Sequence, residues 1–284
     1  MRVLLYPNKY RDEGLCVTRR AAEILAAAGA CLCLPGDSDL AEALNLPRQQ
    51  AGEAIDFVLA LGGDGTMLGA APYALAADVP LAGLNLGRIG YLSALEREEL
   101  AGLAELLSPR AHITRRMLLS WQVLRGDAVL ASGEAVNEIV IKNSRPTTVL
   151  QLEAESGGRR LYGFRGDGIL VATPTGTTAY ALSAGGPVVD PQARVIVLSP
   201  ICAHSLVARP VVLAPEGGAR VRLCSAGQGE GFLAADGRQT HALQPGDIVC
   251  CSESARTLKL ASLKEIPFFD IMRNKLSGEA GESL

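Results

Sequence analysis

The chain has 284 residues, 48% of them hydrophobic and 20% charged, so it can form one large domain or two ordinary ones around a sizeable core. A formal charge of −3 and only 4% aromatic residues argue against a nucleic-acid or anionic-membrane surface and against a base-stacking platform. The opening apolar run, Val3–Tyr6, is far shorter than a signal peptide needs, and no segment is apolar for long enough to span a bilayer, so a soluble, cytoplasmic protein is expected. The seven cysteines, an odd number without a Cys-x-x-Cys pair, read as reduced and mostly buried thiols. His112, His204 and His241 are scattered, with no metal-ligand spacing, so no dedicated protein metal site is expected.

Taken in order, Val3–Tyr6 predicts a buried strand that Pro7-Asn8 ends. The apolar periodicity of 13–28 predicts a helix with Gly29 as its C-terminal cap. Ala30–Leu34 and Ile55–Leu61 follow as strands. Next comes Gly62-Gly63-Asp64-Gly65-Thr66, between a strand and a helix reaching about Ala77. Its glycines permit left-handed angles and close approach of a ligand, and Thr66 can cap the helix. The helix N-terminus favours a phosphate. A carboxylate beside phosphates is repelled unless it acts through a metal or takes a proton from an attacking hydroxyl, which makes Asp64 the unusual member. On its own the stretch also fits an ordinary Asp-Gly turn.

Val79–Leu84 predicts another strand. The alternation of strands and helices over 1–110 points to a doubly wound parallel sheet, with the turns at 62–66 and 85–91 on one rim. In the second turn Arg88 could meet a phosphate and Tyr91 could stack on a base; an ordinary surface loop fits equally well. Ser93–Glu96 has the pattern of a capping box opening a helix to about Leu107.

From 111 to 256 the helical period gives way to short β runs, with Gly126-Asp127 and Gly157-Gly158 as hairpin turns. This predicts a C-terminal β-sandwich-like domain. Residues 267–276 predict a terminal helix.

Three stretches in this half carry polar chemistry. Asn137 and Glu138 interrupt the run Ala135–Val140, so one of them points inward and needs partners. Arg165-Gly166-Asp167-Gly168 sets a bidentate donor beside an acceptor; a turn pair is the plain alternative. Thr173–Pro187 is dense in hydroxyls and small residues, with a helix predicted after Gly176, and suits a polar ligand rich in hydrogen-bonding groups.

Leu61–Thr66, Asn85–Leu92, Asn137-Glu138, Gly166–Gly168 and Thr173–Gly186 stand in the order and spacing of the NAD kinase family, which the chain resembles along nearly its whole length. Ala208–Pro210 and Phe268–Asp270 add to the likeness. Gly-Gly-Asp-Gly-Thr alone is shared with lipid kinases, whereas the Thr173–Gly186 block resembles NAD kinases specifically. The resemblance implies an N-terminal α/β domain (1–110, rejoined by about 257–284) and a β-rich NAD-binding domain (111–256). It implies transfer of the terminal phosphoryl of ATP, or of polyphosphate, to the 2′-hydroxyl of the adenosine ribose of NAD, with Mg²⁺ or a similar divalent cation held with the donor.

By the same resemblance Asp64 is the proton acceptor. Gly62, Gly63, Gly65, Thr66 and Arg88 form the donor loop. Asp64, Gly65, Tyr91, Asn137, Glu138, Arg165, Asp167 and Asp236 contact NAD, together with Thr175, Thr178, Ala179, Tyr180, Ala181, Leu182 and Ser183. Tyr91 stands where the family usually has Phe, which keeps the flat ring. A homotetramer or homodimer is implied, and neither nucleic acid nor membrane is an expected partner. Two other readings stay open at this point: a lipid kinase, disfavoured by the Thr173–Gly186 block, and a non-catalytic NAD-binding regulator, disfavoured by the intact Asp64.

Overall fold

The structure, a computed structural model, describes every residue except 88, 89, 93, 94, 146, 147, 228, 266, 267 and 277–284, with backbone alone at 239, 240 and 274–276. The chain divides into two compact units, Met1–Arg115 with Leu258–Leu284, and Arg116–Thr257.

The first unit contains β1 (Arg2–Pro7), α1 (Cys16–Ala27), β2 (Cys31–Cys33), α2 (Ala41–Leu44), β3 (Phe57–Gly62), α3 (Asp64–Ala77), β4 (Leu81–Asn85) and α4 (Leu103–Leu106). The sheet is parallel in the order β2-β1-β3-β4. Its strands read as unbroken apolar runs because both faces are covered; Val3, Leu5, Leu59 and Leu84 are all buried. The register pairs Gly62 with Asn85, and the Leu86 N–H donates to the Gly62 carbonyl at 3.0 Å. The loops after β3 and β4 therefore share one rim, as the alternation predicts.

Local details depart from expectation. The helix expected from residue 13 begins as a 3-10 turn, Glu13–Leu15, with Gly14 at φ +65°. The helix proper starts at Cys16, because the buried Asp12 carboxylate accepts the N–H groups of Val17 and Thr18 and so caps it. Gly29 stands just past its end at φ +84°, as expected. Thr66 is not the cap of α3. Gly63 is the N-cap and Asp64 the first helical residue, while Thr66 reaches back from the third position, its Oγ1 accepting the Gly63 N–H at 3.3 Å. None of the three loop glycines takes a left-handed angle. At Gly62 the need is space, since a Cβ there would overlap the Thr66 side chain. The helix expected over 93–107 is a 3-10 turn, Arg97–Gly102, followed by α4. Its first turn is closed by Glu99, whose carboxylate accepts the Glu96 N–H; Ser93 lies outside the described residues.

The second unit is built from β5 (His112–Arg125), β6 (Ala128–Ala135), β7 (Glu138–Asn143), β8 (Leu150–Ser156), β9 (Arg159–Gly166), β10 (Gly168–Ala172), α5 (Tyr180–Ser183), β11 (Ile196–Ile201), β12 (Val211–Leu213), β13 (Ala219–Ser225), β14 (Gly231–Ala235), β15 (Arg238–Leu243) and β16 (Ile248–Ser262). One antiparallel sheet runs β12-β11-β10-β7-β14-β15. A second antiparallel set runs β16-β13-β8-β9. Alternate residues of both, such as Ile139, Ile141, Ile169 and Val171 against Leu152, Phe164, Val221 and Val249, form one core, as in a sandwich. The hairpin turns at Gly126-Asp127 and Gly157-Gly158 fall between β5 and β6 and between β8 and β9.

β7, β10 and β11 are also buried on their second face. Val140, Leu170, Ala172, Val197 and Ile201 pack there with Ala181 of α5. The hydroxyl-rich segment is thus pinned across the middle of this sheet.

After leaving β13, β16 continues into the first unit, where Leu260 pairs in parallel with Leu81 of β4. α6 (Phe268–Leu276) follows. The cysteines are all free but not mostly buried: Cys33 and Cys251 are buried, while Cys16, Cys31 and Cys202 are exposed.

Candidate active site

In the first unit the site is organised by the end of β3. Gly62 closes the strand, Gly63 turns it, and Asp64 opens α3, so the carboxylate stands on the first turn of a 14-residue helix. Its two oxygens accept the backbone N–H groups of Tyr91 at 3.0 Å and Leu92 at 3.1 Å. Thr66 is buried, and its Oγ1 also accepts from the Asn8 amide at 3.0 Å, which ties the loop after β1 to the loop after β3. Gly65 is exposed, and a Cβ there would meet nothing within 4 Å. The Tyr91 ring lies 6.2 Å from that of Phe268, and burial, with the Asp64 charge behind it, raises its phenol pKa. Arg88 lies outside the described residues.

In the second unit Asn137 and Glu138 are both buried, and the run expected to be one strand is broken there: β6 ends at Ala135 and β7 begins at Glu138. The bend is held by Asp236. This residue sits in the two-residue turn between β14 and β15, at φ +49° with Gly237 at φ +76°, a turn that tolerates Asp-Gly. Its carboxylate accepts the N–H groups of Val136 at 2.8 Å, Asn137 at 2.7 Å and Glu138 at 3.2 Å. Burial raises the Asp236 pKa against these three donors. Burial also pushes the Glu138 carboxyl up to about 7, and the Asp236 charge adds to it. Glu138 Oε2 is buried without a hydrogen-bond partner among the described residues.

The same bend receives the hydroxyl-rich segment. The fully buried Thr173 donates its N–H to the Asn137 carbonyl and its hydroxyl to the Val136 carbonyl, and its Oγ1 accepts the Gly176 N–H at 3.0 Å. A Cβ on Gly176 would overlap the Asn137 carbonyl. Instead of one helix after Gly176 there is a 3-10 turn, Thr175–Thr178, a break at Ala179 (φ −99°, ψ −129°), and then α5. The Thr177 and Thr178 hydroxyls donate to carbonyls three residues back, the local competition that keeps Thr out of regular helices. Thr175 is buried, its Oγ1 without a partner among the described residues. Thr178, Ala179, Tyr180 and Leu182 are half-buried, Ala181 is buried and Ser183 is exposed.

Arg165 and Asp167 stand elsewhere. Ala172 of β10 pairs with Glu138, whereas Asp167 precedes Gly168 at the other end of the strand. Five residues at ~3.4 Å each separate them by roughly 17 Å within this unit. Arg165 is exposed, and Asp167 accepts a hydrogen bond from the Cys202 thiol, which raises that thiol's pKa. Among the described residues no group of three or more His, Cys, Asp or Glu is arranged to hold a metal ion.

Sequence reasoning missed the parts played by Asn8 and Thr173. Asn8 carried a usable signal: it follows β1, the strand next to β3, and so falls on the rim of the glycine loop. Thr173 carried none apart from its place in a hydroxyl-rich run.

Comparison with known proteins gives the family. Residues 16–111 match the family model of the ATP-NAD kinase N-terminal domain, and residues 136–263 that of the C-terminal domain. A Symbiobacterium thermophilum protein named NAD kinase is 37% identical over 277 residues, covering 94% of this chain and 96% of its own. A Nocardia farcinica NAD kinase is 37% identical, covering 96% and 90%. Among solved structures, yeast NADH kinase complexed with NADH shares the fold at TM-score 0.82 and 22% identity, covering 100% of this chain and 89% of its own. An Archaeoglobus fulgidus NAD kinase in complex with ATP does so at 0.71 and 24%, covering 98% and 99%. With both domain models matched in order along one chain, and curated relatives alike over nearly their full length, the chain belongs to the NAD kinase family.

Proposed function

We propose that this NAD kinase uses Asp64 as the general base that accepts the 2′-hydroxyl proton of the adenosine ribose of NAD while ATP delivers its terminal phosphoryl group. The observation that carries the proposal is the seating of Asp64. Its carboxylate is oriented by two backbone N–H groups at the first turn of α3, beside the exposed Gly65, where the positive end of the helix dipole suits a phosphate. A ribose hydroxyl is a weak nucleophile near neutral pH. A carboxylate within hydrogen-bond reach accelerates its attack about 10²–10⁴-fold.

In this reading the Asn137–Glu138 bend, held by Asp236 and packed by Thr173–Gly176, grips the nucleoside of NAD, with Thr175, Thr178–Ser183 and Tyr91 contributing. Arg165 and Asp167 also serve NAD, from their separate place at the far end of β10, and Arg88 stays with the donor loop as an expectation. A divalent cation bound with the donor neutralises phosphate charge. Held by the donor's own phosphate oxygens, the cation needs no dedicated set of protein ligands. Polyphosphate in place of ATP, a cytoplasmic setting and a homodimer or homotetramer complete the proposal; the free cysteines suit a reducing compartment. The test is NADP formation from NAD, ATP and Mg²⁺ by wild type and Asp64→Asn. The variant is expected to keep NAD binding and lose at least ~10²-fold in kcat. Wild-type turnover in the variant overturns the assignment of the base.

A further inference from the structure

Phe268-Phe269-Asp270 opens α6, a stretch so far without a part in the chemistry. Within the first unit it lies against a residue that holds the Asp64 carboxylate: the Phe268 and Tyr91 rings stand 6.2 Å apart between centroids, at 44°. Resting on the base assignment above, we infer that Phe268 is a positioning residue for phosphoryl transfer, acting through Tyr91 to keep Asp64 aimed at the attacking hydroxyl.

Three observations carry it. The first is that Asp64 is oriented from the loop after β4. Tyr91 and Leu92 supply the two N–H groups, at 3.0 and 3.1 Å. Hydrogen bonds weaken steeply when bent, so the place of these two amides sets where the carboxylate oxygens point. Leu92 is buried and anchors one member of the pair in the interior. Tyr91 is half-buried, and its ring packs on Phe268.

The second is how that loop is closed. The Asn85 N–H donates to the Leu95 carbonyl at 2.8 Å, and the Leu95 N–H to the Gly83 carbonyl at 3.1 Å. The Asn85 amide also donates to the Glu96 carboxylate at 2.9 Å. These bonds tie the two ends of the loop together. Tyr91 stands in its middle, where Phe268 meets it from a helix far along the chain.

The third is that the chain entering α6 is fastened to the same part of the first unit. After Leu260 pairs with β4, Leu263 packs against the turn Arg97–Gly102, where a Cβ on Gly102 would overlap it. Lys264 pairs with Glu99 at 2.8 Å, and the Ser262 hydroxyl donates to the Lys264 carbonyl at 2.8 Å. The Phe269 ring stands edge-on to Phe268, centroids 5.4 Å apart, and adds a second aromatic contact. Phe268 is thus delivered to Tyr91 by a segment with its own points of attachment, so the ring pair can hold the middle of the loop. Proton transfer to a carboxylate needs hydrogen-bond reach, and small misplacements of the base are costly in rate.

The experiment is steady-state NADP formation by the full chain with Mg²⁺, at saturating NAD and varied ATP. Wild type is compared with Phe268→Leu, Phe268→Tyr, Tyr91→Leu and the double variant Tyr91→Leu/Phe268→Leu, each assayed below its measured Tm. Leu keeps apolar bulk and removes the flat ring, whereas Tyr at 268 keeps the ring. Expected for Phe268→Leu is a fall in kcat of about threefold to tenfold, the size of a lost aromatic pair, with KM for ATP unchanged within about twofold. Phe268→Tyr is expected to keep the wild-type kcat within about twofold. Tyr91→Leu should lose at least as much as Phe268→Leu, and the double variant should be no slower than Tyr91→Leu alone, because Phe268 acts through that ring. Wild-type kcat in Phe268→Leu, an equal loss in Phe268→Tyr, or losses that multiply in the double variant overturn the inference. Asp64→Asn, run alongside, separates the two readings. Wild-type turnover there defeats the base assignment and the inference with it, whereas lost turnover beside an unimpaired Phe268→Leu defeats the inference alone.

Discussion

Asp236 accepts the N–H of Asn137 at 2.7 Å, across 99 residues of sequence, and in doing so fixes the bend on which Asn137 and Glu138 stand. It is the only acidic residue in the turn between β14 and β15, and one of its oxygens serves two N–H groups. Replacement by Asn keeps the left-handed angle but turns an NH₂ group toward an N–H donor. Asp236→Asn is expected to cost about 1–3 kcal/mol of stability and to raise KM for NAD more than KM for ATP. Thermal melting and steady-state kinetics check both parts.

Glu138 gives the site a pH signature. Its carboxyl is buried and pushed up to about 7 in the fold, against an ordinary value of 4.5. A raised acid pKa means that the folded state holds the proton more tightly than the unfolded state. The corresponding stability is present below about pH 4.5 and is gone above about pH 7. Glu138→Gln removes the titration. The variant should therefore gain stability relative to wild type as pH rises from 5 to 7.5, by an amount on the order of 2–3 kcal/mol. Urea denaturation at the two pH values measures the gap; a gap that narrows with rising pH contradicts the assignment.

The glycine loop separates packing from ligand approach. Gly62→Ala places a Cβ against Thr66, so the start of α3 must shift; a loss of about 1–3 kcal/mol and of most turnover is expected. Gly65→Ala meets nothing within 4 Å and lies in a helix, where Ala is favoured by roughly 0.5–1 kcal/mol. Its stability should be equal or higher while KM for ATP rises, because the lost space is space for phosphate. Melting temperatures and donor kinetics of the two variants distinguish these outcomes.

Thr173→Val keeps the shape of a fully buried side chain and removes its hydroxyl. The Val136 carbonyl loses a donor and the Gly176 N–H loses its acceptor. A loss of about 1–3 kcal/mol is expected, or some 2–10 °C in Tm for a chain of this size, together with weaker NAD binding.

What could be read from the sequence, and what could not, divides by the range of the interaction. The run Phe57–Leu61 announces a strand covered on both faces, and Gly157-Gly158 announces a hairpin, because each signal is local. The stretches assigned to the candidate site were also visible as polar or glycine-rich interruptions. The clamp of Asp236 on the 136–138 bend was not, since nothing near Asp236 in sequence indicates the partner. Nor was the broken helix after Gly176, where Thr hydroxyls and the Asn137 carbonyl outweigh helical preference. Thr66 looked like a cap because Thr is a cap residue. The backbone instead begins the helix one residue after Gly63, and only a third-position role remains for it.

The course of β16 bears on how the protein is made. The first unit holds residues up to Arg115 and then waits for Leu258, whose strand supplies the partner of β4. The intervening 142 residues (257 minus 115) take on the order of 10–30 s to synthesise at ~5–20 residues per second. During that interval the β4 edge emerges from the ribosome without its parallel neighbour, an invitation to pair with another nascent chain. Synthesis of the end of β16 is therefore also the step that covers the open edge of the parallel sheet.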